Sequence, residues 1–98
     1  MTFPDVETQA QSPANLTRTK RQLAEQAIAQ AAAAQWVDAA ATNRKLLELG
    51  PDTESENRLA KALWEQGRLG EAREHYQTAL ALDPTNRIAE RNIDRLKV

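Results

Sequence analysis

Residues 56–84 read ENRLAKALWEQGRLGEAREHYQTALALDP. Leu59, Ala60, Ala62 and Leu63 recur at the three- and four-residue spacing of one helix face. After Gly67 the same spacing returns in Leu69, Ala72, Tyr76, Ala79, Leu80 and Leu82. Glycine reaches left-handed backbone at little cost, so Gln66-Gly67 ends the first helix. Asp83-Pro84 ends the second, because proline disfavours helix in the residue before it. The stretch predicts a helical hairpin. Thr53, three residues before Glu56, predicts a capping box that opens it.

Working outward, a second hairpin precedes this one. Its first helix is predicted to begin between Asn15 and Thr19 and to run to about Ala34, since alanine extends a helix. Leu23, Ala24, Ala27, Ile28 and Ala31 form its inward face. Its second helix covers residues 36–49, with Trp36, Ala39, Ala40, Leu46, Leu47 and Leu49 apolar, Asn43 a polar flaw among them, and Gly50-Pro51 as the stop. Downstream, Asn86 caps a fifth helix to about Lys97 with Ala89, Ile93 and Leu96 as its stripe. Residues 1–14 are expected to be a disordered tail with nothing to bury. The resulting expectation is an all-α domain over residues 15–98, with no strand signal.

Bulk properties narrow the function. The 98 residues suit one small domain. Thirteen basic and 14 acidic residues give a net charge of −1, which argues against general nucleic-acid or anionic-membrane binding. No cysteine is present, which removes disulfides and thiolate metal sites. No apolar run approaches the ~18 residues of a membrane span, and the acidic N-terminus is no signal peptide, so a cytoplasmic location is expected. His75 is the one histidine and reads as solvated or partly packed rather than as a metal ligand. Serine occurs only as Ser12 and Ser55, neither paired with a base, and the three glycines are isolated helix punctuation. No catalytic residue, cofactor, metal or small-molecule substrate is predicted.

Self-comparison at an offset of 33 aligns Trp36 with Leu69, Ala39 with Ala72 and Pro51 with Pro84. The second copy resembles a tetratricopeptide repeat, whose two helices occupy ~34 residues. Leu59, Ala72, Tyr76 and Pro84 match that pattern in type and Ala60 in size, while Glu56 and Leu63 depart from its aromatic and tyrosine. The first copy is degenerate: Gln26 and Gln30 fall where leucine and tyrosine stand, and a one-residue shift would place Ala27, Ile28 and Ala31 inside. The resemblance implies a right-handed helical-hairpin stack: repeat one over about residues 19–52, repeat two over 53–86, and a sealing helix over 86–97. The first helix of each hairpin would line the inner surface.

The same resemblance places a candidate partner-binding site. Arg87, Arg91 and Arg95 stand four apart on the fifth helix and form a cationic stripe. In the family geometry Arg91 and Arg95 face a groove floored by Asn57, Lys61 and Trp64. The implied function is protein–protein interaction, with a peptide segment or helix, acidic in character, held in a shallow groove. The family's carboxylate clamp is absent, because Ala24 and Ile28, or Glu25 and Ala29, stand where lysine and asparagine are required. Rival readings remain open. The stripe is a solvated face paired with Glu90 and Asp94; Trp64 covers the core end; Trp36 is structural; the chain self-associates, or is the adaptor end of a larger protein. Nucleic-acid binding is the least favoured.

Overall fold

The computed structural model describes residues 12–97, and within them five α-helices follow one another: α1 Pro13–Ala32, α2 Trp36–Glu48, α3 Thr53–Glu65, α4 Leu69–Leu82 and α5 Arg87–Arg95. The fold is all-α, with no strand among the described residues. Each helix packs on the next, and α1 also touches α3, so α1/α2 and α3/α4 are two stacked hairpins with α5 laid against α4. The core is built largely of small residues. Ala39, Ala40, Ala60, Ala62, Ala72, Ala79 and Ala89 are buried around Leu59, Leu63, Tyr76 and Leu96. Alanine at these contacts lets helix axes approach closely, and stacking buries faces that one hairpin leaves exposed.

The helix ends correct three expectations. First, α1 begins at Pro13, because Ser12 is its N-cap and its Oγ accepts from the Asn15 N–H at 3.3 Å. Of the tail expected over residues 1–14, Pro13 and Ala14 are therefore helical, and residues 1–11 lie outside the described residues. Second, α3 has no capping box at Thr53. Asp52, one residue earlier, accepts from the Glu54 N–H at 3.3 Å and from the Ser55 hydroxyl, which frees the Glu56 side chain. Third, the alanine run does not extend α1 to residue 34. The helix stops at Ala32, and Ala34 takes φ +57°.

That last position is the repeat's own turn. Ala34 lies 33 residues before Gly67, which has φ +79°. The turn bonds correspond as well: Gln35 N–H to Gln30 O at 2.8 Å, and Arg68 N–H to Leu63 O at 2.9 Å. The second repeat meets the left-handed requirement with glycine and the first with alanine, which costs about 1–2 kcal/mol. Ala34→Gly is expected to stabilise the domain by about 0.5–1 kcal/mol after the unfolded-state entropy of glycine is subtracted. A rise of about 4 °C in Tm by calorimetry would show it, and a fall would mean that Ala34 is not strained.

Burial also bears on the register of α1. Ala27 and Ala60, 33 apart, are both fully buried, and Ile28, which the shifted register would bury, is not, so the unshifted alignment fits α1 better. Ile28, expected inside, is 54% exposed, at the position equivalent to Lys61. Leu69 and Leu82 were likewise expected to be buried and are exposed at the ends of α4. Gln30 is accommodated because the Thr42 hydroxyl donates to its Oε1 at 2.6 Å, a polar link between α1 and α2. Asn43, the apparent flaw in α2, is buried and satisfied. It donates to Ala39 O at 2.9 Å and accepts from Arg58 Nε at 3.0 Å, joining α2 to α3.

Candidate functional site

The start of α2, together with α3 and α5, presents a face on which aromatic rings and cations alternate. Lys61 Nζ lies 6.0 Å from the Trp36 ring centroid and 5.9 Å from that of Trp64. The Arg95 guanidinium lies 6.0 Å from the Trp64 ring. The order across the face is Trp36, Lys61, Trp64, Arg95. Such contacts contribute about 0.5–1 kcal/mol each when exposed, and they hold long side chains in defined places.

Contacts among α2, α3, α4 and α5 fix this row. Gln66 Nε2 donates to Trp36 O at 3.3 Å and to Ala62 O at 3.1 Å, tying the start of α2 to the end of α3. Trp64 meets the buried Tyr76 of α4 edge-on, with centroids 6.3 Å apart and planes at 85°. From α5, the polar Asn92 side chain lies beside the Tyr76 hydroxyl. Burial is the main reason that this hydroxyl is pushed up to about 12, against the lowering effect of Asn92; the nearby Glu65 carboxylate adds to the rise and Arg95 opposes it. Tyr76 is thus neutral at physiological pH, and α5 meets the core beside its oxygen.

Beside the row lies a recess of about 250 Å³ bordered by Ala31, Asn57, Lys61, Tyr76, Ile88 and Asn92. Its chemistry is mostly apolar, with Ile88 54% exposed at the rim. Asn57 Oδ1 is buried there without a hydrogen-bond partner among the described residues.

Of the five residues expected at the site, four share this region: Lys61, Trp64 and Arg95 in the row, and Asn57 in the recess. Arg91 lies in neither the row nor the recess, but shares with Arg95 an open surface of α5 that Arg87, Glu90 and Asp94 also line. The cations differ in commitment. Lys61 pairs with Glu65 at 2.7 Å, and Arg58 is engaged by Asn43 at 3.0 Å, by Ser55 at 3.2 Å and by Glu54 at 3.9 Å. Arg87, Arg91 and Arg95 form no ion pair among the described residues. Asp94 turns to Lys97 at 3.4 Å, so the expected pairing of the stripe with Glu90 and Asp94 is not made.

Sequence reasoning missed Trp36, Tyr76, Ile88 and Asn92 as parts of this face. Ile88 carried a signal, being a large apolar residue off the Ala89–Ile93–Leu96 stripe. Trp36 carried none, since its meeting with Lys61 depends on how α2 lies against α3.

Glu56 also finds an unexpected partner. Its Oε2 lies 2.6 Å from His75 Nδ1, between α3 and α4. Neither residue belongs to a metal cluster, and no group of three or more potential ligands of that kind exists among the described residues. No described helix is long and apolar enough to cross a membrane. In comparison with family models, residues 54–86 match the tetratricopeptide repeat. Comparison with curated proteins found no match.

Proposed function

We propose that this chain, whose residues 54–86 match a family of repeats that mediate protein–protein interaction, is a binding module that takes a peptide segment of a partner protein along the face formed by α3, α5 and the start of α2. The observation that carries this reading is the row Trp36–Lys61–Trp64–Arg95 beside an apolar recess. Rings supply contact area at low entropic cost, and aromatic and arginine residues dominate binding energy at interfaces. The absence of ion pairs at Arg91 and Arg95 favours an acidic partner. A specific interface needs about 800 Å² per partner, more than this shallow surface offers a short peptide, so modest affinity is the expectation.

Capture from native lysate tests the reading. The wild-type chain should retain a set of proteins that is lost with Arg91→Glu/Arg95→Glu and with Trp64→Ala, while far-UV circular dichroism is unchanged. Retention of the same proteins by both variants would remove the groove from the interaction.

A further inference from the structure

The groove's charges are unequally available, and this specifies the ligand further than "acidic". Lys61 is already neutralised by Glu65 at 2.7 Å, and Arg58 is held by three side chains. Of the cations on this face, the α5 arginines are the ones that form no ion pair among the described residues, and of these Arg95 also lies over Trp64. The apolar recess sits on the same helix, at Ile88 and Asn92. A helix rises 1.5 Å per residue, so the recess and the Arg95 position are separated by roughly 5–10 Å along α5.

We infer, building on the groove reading above, that the partner segment is extended and presents an apolar side chain and an Asp or Glu two or three residues apart. The apolar side chain enters the recess beside Ile88, and the side-chain carboxylate meets Arg95 with Arg91 beside it. An extended chain advances about 3.3 Å per residue, so two or three residues span the gap. An extended backbone also keeps its N–H and C=O groups free for the polar side chains that border the recess, Asn92 among them, whereas a helix has spent its own.

The probe is a nine-residue peptide, blocked at both ends, in a glycine–serine background with leucine at its fourth position and aspartate at its sixth. Binding to the full chain is followed by tryptophan emission, because both tryptophans of the protein lie in the row. Replacing the peptide's aspartate by asparagine should weaken binding about tenfold, as loss of a charge-assisted contact does. Replacing its leucine by glycine should weaken it at least as much. Arg91→Gln/Arg95→Gln should erase the difference between the aspartate and asparagine peptides. Removing the inner pair as a unit, with Lys61→Gln/Glu65→Gln, should move both peptides together and keep their ratio. Equal binding of the two peptides to wild type, loss of the ratio with the Lys61/Glu65 variant, or no binding at millimolar peptide would each overturn the inference. The lysate capture is independent of it: capture that still depends on Arg91, Arg95 and Trp64 would leave the groove reading standing while this ligand pattern fell.

Discussion

Tyr76→Ala is expected to lose about 3–5 kcal/mol of folding stability, the range for removing a buried aromatic from a core that cannot collapse around the gap. Tyr76 is 1% exposed and stands where α3, α4 and α5 meet: Trp64 packs edge-on against its ring and Asn92 lies beside its hydroxyl. A domain of this size has about 5–15 kcal/mol in total, so the loss is a large share. In urea, with slopes of ~1–3 kcal/mol per M, the midpoint should fall by more than about 1 M. Tyr76→Phe separates ring from oxygen. It keeps the packing, removes only the hydroxyl beside Asn92, and should cost no more than about 1 kcal/mol. If alanine at 76 proved as mild as phenylalanine, the three helices would not share a core at this residue.

His75→Ala is expected to cost about 2 kcal/mol. The Glu56 carboxylate is 9% exposed and has His75 Nδ1 at 2.6 Å. Removing the imidazole strands a nearly buried charge, and stranding a charge is more damaging than removing a pair. The value lies below that for a fully buried pair because the His75 side chain is 27% exposed and water partly screens it. The paired substitution Glu56→Leu/His75→Leu returns apolar surface on both sides and should lie close to wild type. A double-mutant cycle in urea reads the coupling directly. A paired variant as unstable as His75→Ala would show that the polar contact itself, rather than relief of an unmatched charge, holds α3 to α4.

These two positions show where sequence reading succeeds and where it stops. Tyr76 is legible as core because its spacing with Ala72 and Ala79 is a local property of one helix, and local periodicity survives folding. The hairpins are legible for the same reason, through Gly50-Pro51, Gly67 and Asp83-Pro84. Glu56 is different. Thr53 at the right spacing made a capping box reasonable, but Asp52 satisfies the free amides first, and Glu56 turns to a histidine 19 residues away. The site divides in the same manner. Lys61, Trp64 and Arg95 are found from helix faces once the repeat is recognised. Trp36 joins them only through the way α2 and α3 lie together, which no spacing within either helix records. Ile28 erred for a subtler reason. Its helical spacing with Ala24, Ala27 and Ala31 places it inward, whereas the 33-residue offset makes it the equivalent of the exposed Lys61.

The short fifth helix has a consequence for how the groove behaves. An isolated helix of nine residues is unstable in water, so α5 persists only while docked. Its docking rests on Ala89 and Leu96 in the core, Ile93 packed against it, and the Arg73 guanidinium donating to Leu96 O at 3.2 Å. Undocking it breaks these few contacts and leaves both hairpins closed, so its amides exchange with solvent through a local opening rather than global unfolding. Ile88, Asn92 and Arg95 therefore ride on the segment with the smallest opening free energy. Occupancy of the groove and order in the last helix are then one equilibrium: a ligand that grips Arg95 closes α5, and the work of closing it is subtracted from the affinity observed.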